Sequence, residues 1–127
     1  MTDRELLIMA HDAAQFAYAP YSNFPVGAAV ECTDGSVFTG CNVENASYGA
    51  GICAERVAIC KAISEGHRDF SRIAIFGTAS EQYCYPCGIC RQFMIEFGTD
   101  IEVLAANKNG RYVSYRLSEL VPHSFKL

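Results

Sequence analysis

Two short cysteine motifs, Cys53-Ala54-Glu55 and Pro86-Cys87-Gly88-Ile89-Cys90, constrain this chain more than any other feature. Each follows an extended segment and opens a stretch with helical spacing, so each sets a cysteine at a helix N-terminus. The free amide groups and partial positive charge there favour thiolate over thiol. A fold that lays those two helix starts side by side gathers three thiolates around one point. Three protein ligands with an open fourth position describe a catalytic zinc, whereas a structural zinc is closed by four.

The elements around these motifs follow from periodicity and punctuation. Thr2 with Glu5 three residues on is a capping box, and Leu6, Met9, Ala10, Ala13, Phe16 and Ala17 carry helical spacing to Tyr18, before Pro20. Strands are predicted at 25–32 and 36–43 around the hairpin signal Asp34-Gly35. A helix over 53–65 ends at Gly66, and an apolar, β-prone run at 73–78 predicts a buried strand. After the loop bearing Pro86, a helix over 87–97 stops at Gly98. Strands at 101–105 and 111–115 flank Asn109-Gly110, and 117–120 forms a short closing helix. Strands interleaved with helices predict a layered α/β domain with a mixed sheet.

With 127 residues and no repeat, low-complexity tract or linker, the expectation is one domain spanning 1–127. A net charge of -4 argues against nucleic acid or an anionic membrane as the main partner, since both reward basic patches. No apolar run reaches membrane-spanning length. The N-terminus lacks the charged-then-apolar layout of a signal peptide. Seven cysteines, an odd number, in such a chain point to metal or redox chemistry in a reducing compartment, and the expected location is cytoplasmic. Cys32, Cys41 and Cys60 read as small core or strand residues, and His11 and His67 as surface groups.

A carboxylate two residues from one zinc ligand stands where it can move a water's protons, so Glu55 is the candidate general acid and base. Nucleobase zinc deaminases share this grammar: a His or Cys ligand, a two-residue step to a Glu that is not a ligand, then Pro-Cys-x-x-Cys. Three thiolates leave the zinc complex negatively charged, and the Arg56 guanidinium is placed to donate to cysteine sulfur and offset that. Other readings stand beside this one. Cys84 could close a four-thiolate structural site, making the chain a zinc-stapled interaction domain. Cys87 and Cys90 could instead be a redox pair.

The chain resembles the small, homotetrameric cytidine deaminases that act on free nucleosides, from Tyr18-Ala19-Pro20-Tyr21-Ser22 to Pro122. The most specific segments are Phe24-Pro25-Val26-Gly27-Ala28-Ala29, Gly40-Cys41-Asn42-Val43-Glu44-Asn45-Ala46, Cys53-Ala54-Glu55-Arg56 and Pro86-Cys87-Gly88-Ile89-Cys90-Arg91-Gln92. The resemblance implies a three-layer α/β/α fold with a mixed five-stranded sheet. It also implies one zinc per subunit, on Cys53, Cys87 and Cys90, and deamination of cytidine and deoxycytidine in pyrimidine salvage. By the same resemblance Asn42 and Glu44 bind the ribose hydroxyls, Phe24 stacks near the base, and Ala54 offers backbone groups to its amide edge. Tyr48 and Phe125 match positions that reach across from neighbouring subunits. The chain departs from the pattern at Gln82-Tyr83-Cys84-Tyr85, which is bulkier before Pro86, and at His123.

Overall fold

Thr2 starts the first helix as its sequence dictates. In the computed structural model, which describes residues 1–127, its hydroxyl accepts from the Glu5 amide at 3.1 Å while Glu5 Oε1 accepts from the Thr2 amide. Helix α1 (Asp3–Ala14) ends four residues before the predicted stop at Tyr18. A long-range contact ends it: the Tyr18 amide donates to the Asn42 carbonyl at 3.0 Å and its carbonyl accepts from Glu44 at 2.8 Å. Tertiary pairing overrides helical periodicity here, and Phe16, predicted on the buried face, is 74% exposed.

Strands β1 (Val26–Cys32), β2 (Val37–Cys41), β3 (Phe70–Gly77), β4 (Glu102–Ala106) and β5 (Tyr112–Arg116) form one sheet in the order β2-β1-β3-β4-β5. Only β3 and β4 pair in parallel, and the crossover between them carries α3 (Gly88–Ile95). Helix α2 (Ala54–Ser64) lies between β2 and β3 in sequence, and α4 (Leu117–Leu120) closes the chain's last turn. β3 begins three residues before the predicted run because Phe70 pairs with Cys32 and its ring meets Phe97 edge-on.

Period-two alternation divides the core between the two faces of the sheet. Ala29, Ala74, Phe76, Leu104 and Ala106 face Leu6, Leu7 and Ala10 of α1. Ala28, Val30, Ile73, Ile75 and Val103 pack with Ala58, Ile59 and Ala62 of α2 and Met94 of α3. The result is the expected three-layer α/β/α arrangement on a mixed five-stranded sheet. Burial on both faces makes β3 almost continuously apolar.

Helix α2 sits unusually close to β2 because of Gly40. A Cβ on Gly40 would stand 2.5 Å from the Ala58 amide nitrogen and 2.7 Å from the Ala54 carbonyl, both backbone atoms. Gly40→Ala must therefore push α2 away, at about 1–3 kcal/mol for forced overpacking. A fall of several degrees in melting temperature is expected, and an unchanged value would contradict this packing. At its other end α2 closes with Gly66 at φ +93°, the Gly66 and His67 amides donating to Ile63 and Ala62.

Two side chains depart from expectation on this helix and its exit. Ala54, Glu55, Ala58, Ile59 and Ala62 form its buried stripe, which leaves Cys60 on the outer face and exposed rather than in the core. His67 is half-buried rather than a surface group, its ring leaning on Phe38 with centroids 5.2 Å apart.

Arg72 fastens α1 to the sheet. It forks onto both carboxylate oxygens of Glu31 at 2.7 and 3.0 Å, reaches Asp3 at 2.6 Å, and donates to the Met1 carbonyl. The guanidinium holds the Glu31 carboxyl below its ordinary value. A lowered folded value means that this stabilisation is complete above about pH 4.5, the unfolded carboxyl's own range, and fades as pH falls through the folded value. Hydrogen bonds to charged groups contribute roughly 1.5–3 kcal/mol. Glu31→Gln should lower stability by that order at pH 7 and flatten its decline below pH 4.5, read from melts across pH.

Candidate active site

Three thiols meet where α2 and α3 begin. Cys53 is the N-cap of α2, Cys87 the N-cap of α3, and Cys90 lies in the first turn of α3. Neither N-cap side chain is spent on capping its own helix. Gly40 brings α2 down onto the sheet, and Arg91 holds the approach to α3 by donating to the Pro86 carbonyl at 2.7 Å and the Leu120 carbonyl at 2.9 Å.

The Sγ atoms of Cys53, Cys87 and Cys90 all lie within 4.8 Å of one another, with Cys53 and Cys87 at 3.7 Å. Sulfur ligands about 2.3 Å from a tetrahedral zinc stand about 3.8 Å apart. The donor set and spacing thus fit zinc. Cys84, the candidate fourth thiolate, is not in this group. It packs against Gly77 at the end of β3, and burial pushes its thiol up to about 12, which keeps it a neutral, apolar neighbour. A four-thiolate centre closed by Cys84 is not what this fold builds.

The Cys53 thiol is held well below its ordinary value, chiefly by a hydrogen bond from Cys90, with Arg56 adding to the effect. Cys90 is displaced upward by the same interaction and by burial. Arg56 Nη2 lies 3.8 Å from Cys53 Sγ, and its buried Nε has no hydrogen-bond partner. An orphaned guanidinium N–H beside three thiols is what an anionic metal–thiolate centre would satisfy.

Glu55, at the second position of α2, is only 4% exposed. Burial is the main cause that pushes its carboxyl up to about 7, with the Cys53 charge adding to it. A carboxyl poised near neutrality both accepts and donates protons readily at pH 7. Ala54, immediately before it, is fully buried.

A cleft of about 460 Å³ opens in front of the thiols, and Asn42, Glu44, Tyr48, Cys53, Arg56 and Cys87 share its wall. Asn42 Oδ1 accepts from the Val26 amide and Nδ2 donates to the Phe24 carbonyl, both at 2.9 Å, which locks the segment before β1. Glu44 Oε1 accepts from the Tyr21 and Ser22 amides, and Oε2 accepts from the Ser22 hydroxyl. The Ser22 hydrogen bond leads in holding the Glu44 carboxyl below its ordinary value. Tyr48, on a 3-10 turn (Tyr48–Ala50), is 81% exposed and meets Tyr21 edge-on at 6.0 Å.

Phe24, Ala54, Glu55, Cys90 and Phe125 lie outside the cleft lining. Phe24 is half-buried with its ring near Gly77, and Phe125 is 66% exposed, its carbonyl accepting from Gln92 at 3.1 Å. Sequence reasoning assigned no role to Tyr21 and Ser22, whose grip on Glu44 spans more than twenty residues and leaves no local pattern. Nor did it assign one to Ile89, which lines the cleft from α3.

This architecture has close counterparts. The family model described as the cytidine and deoxycytidylate deaminase zinc-binding region matches residues 1–106. A cytidine deaminase of Halalkalibacterium halodurans is 47% identical over 125 residues, covering 97% of this chain and 94% of that one. A probable cytidine deaminase of Dictyostelium discoideum is 43% identical over 116 residues, 91% of this chain and 78% of its own. The crystal structure of cytidine deaminase from Burkholderia pseudomallei superposes with a TM-score of 0.94 at 47% identity, covering 98% of this chain and 100% of that one. Three thiols spaced for zinc, set at two helix starts in a fold shared nearly end to end with these proteins, make this chain a member of the cytidine and deoxycytidylate deaminase family.

Proposed function

We propose that this chain catalyses hydrolytic deamination of cytidine and 2′-deoxycytidine to uridine and 2′-deoxyuridine with release of ammonia, acting in pyrimidine salvage. One observation carries the reading: the buried Glu55 stands two residues from Cys53 in a cluster of three converging thiols, two of which line a cleft walled by Asn42 and Glu44. Residues 1–127 act in it as one catalytic domain. Cys53, Cys87 and Cys90 would hold the zinc. When bound, the ion supplies Lewis acidity that makes water a competent nucleophile near neutral pH.

The protein's own groups then divide the work. The Glu44 carboxylate, fixed by Tyr21 and Ser22, offers its remaining lone pairs to ribose hydroxyls, and the Asn42 amide offers its second N–H. Phe24 supplies an aromatic face beside the flat base. The Ala54 backbone addresses the amide edge. Glu55 takes a proton from the attacking water and delivers it to the ring nitrogen next to C4. It then carries the second proton from the new C4 hydroxyl to the amino group, which leaves as ammonia while the C4 carbonyl forms.

Arg56 tunes this centre by donating to thiolate sulfur. Arg56→Met should lower metal affinity or turnover by about 10–100-fold, the usual effect of removing a partner of metal ligands. Zinc competition with a chelator alongside initial rates measures both. Unchanged values for the two would leave Arg56 a packing residue.

The exposed aromatics Tyr48 and Phe125 suit a homotetramer in which neighbouring subunits complete each cleft, and light scattering gives the mass. The partner is a free nucleoside rather than nucleic acid, given the net charge of -4, and no helix is long and apolar enough to cross a membrane. The expected site of action is the cytoplasm. The function is tested by loss of the cytidine absorbance maximum on mixing with zinc-replete protein, in parallel with a cytosine-containing oligonucleotide and an aminonucleoside antibiotic. Turnover confined to the free nucleosides is expected. No turnover of cytidine rejects the reading, and faster turnover of the oligonucleotide reassigns the substrate.

A further inference from the structure

A second group of metal-ligating side chains lies at the opposite end of β1 and α2 from the zinc thiols. Cys32 Sγ, a carboxylate oxygen of Asp34 and a ring nitrogen of His67 all stand within 4.8 Å of one another. They come from two backbone segments held by their own hydrogen bonds, the β1–β2 turn and the exit of α2. The Cys32 amide donates to the Ser36 carbonyl at 2.8 Å and its carbonyl accepts from Gly35 at 2.9 Å, which closes the β1–β2 turn. The Thr33 amide donates to the Asp69 carbonyl at 2.9 Å, and the His67 amide to the Ala62 carbonyl at 2.9 Å.

The donor atoms are also aimed. Asp34 Oδ1 accepts from the Ser36 amide at 2.9 Å, and Oδ2 faces His67 Nδ1 at 3.4 Å. Phe38 leans on the imidazole from one side. A charge-assisted N–H···O bond is about 2.7–2.9 Å long, so 3.4 Å is slack for a simple ion pair. It matches instead the separation of roughly 3.4 Å between N and O ligands that each stand about 2.0–2.2 Å from a tetrahedral zinc. One thiol, one imidazole and one carboxylate suit a borderline divalent ion; magnesium and calcium prefer oxygen alone.

We propose that Cys32, Asp34 and His67 form a second site for a divalent transition-metal ion of the zinc or cobalt type, separate from Cys53, Cys87 and Cys90. The ion clips the β1–β2 turn to the C-terminal end of α2, whose other end carries Cys53 and Glu55. Coordination releases the Cys32 thiol proton to solvent, and water takes the fourth position. With a single thiolate, this site binds more weakly than the three-thiolate centre.

The test uses protein already carrying one equivalent of zinc, dialysed to equilibrium against cobalt(II), with bound zinc and cobalt contents measured. Wild type should keep its zinc, take one equivalent of cobalt and develop thiolate-to-cobalt absorption. Its melting temperature should rise with added cobalt. His67→Gln and Asp34→Asn, both outside the packed core, should weaken the second equivalent by at least about tenfold and keep their zinc and turnover. Cys32→Ser should abolish the absorption band. No cobalt taken up beyond exchanged zinc would overturn the proposal. Uptake as tight in His67→Gln and Asp34→Asn as in wild type would do the same.

Discussion

Glu55→Gln is expected to keep its zinc and lose its turnover. The side chain is almost completely buried, and the amide preserves its shape, so neither folding nor the three thiols should be disturbed. What disappears is the group to which the proposed function assigns proton transfer. General acid–base catalysis contributes typically about 10²–10⁴-fold, so kcat should fall by at least that lower figure while KM for cytidine changes little. The expected signature is one zinc per chain, an unaltered melting temperature and a collapsed rate. Loss of zinc together with activity would make Glu55 a support for the metal centre instead. Retention of both would leave its carboxyl, pushed up to about 7 by burial, without a task.

Breaking the thiol cluster should be costlier still. Cys90 is fully buried within the cluster of three thiols. Cys90→Ala leaves two sulfurs where three are needed, so zinc should be absent after desalting. A Lewis-acidic ion contributes several kcal/mol to the transition state, and turnover should fall more than about a thousandfold. Stability should fall as well, because an ion bound at a thousand times its dissociation constant stabilises the folded chain by about 4 kcal/mol. Cys84→Ala is the contrasting variant. Its sulfur packs on Gly77 rather than among the three clustered thiols, so zinc and turnover should both survive.

What the sequence made legible was mostly local. The capping box at Thr2, the turn at Asp34-Gly35 and the glycine closing α2 act over a few residues and stand where predicted. The cluster of Cys53, Cys87 and Cys90 was legible because their spacing places them at two helix starts. The failures share a cause in long-range pairing. α1 stops early because Tyr18 is drawn into a bridge with Val43, and β3 starts early because Phe70 finds Cys32. Cys60 falls on the outer face of α2 because the sheet, not the helix alone, selects the buried stripe. The grip of Tyr21 and Ser22 on Glu44, the separation of Cys84 from the other thiols, and the meeting of His67 with Asp34 depend on folded geometry. No window of sequence contains them.

The most direct test is X-ray absorption at the zinc edge on protein that carries one equivalent of zinc and turns over cytidine. Three sulfur scatterers at about 2.3 Å and one lighter scatterer at about 2.0–2.2 Å are expected of an open zinc centre on Cys53, Cys87 and Cys90. A shell of four sulfurs, or active protein containing no zinc, would contradict it.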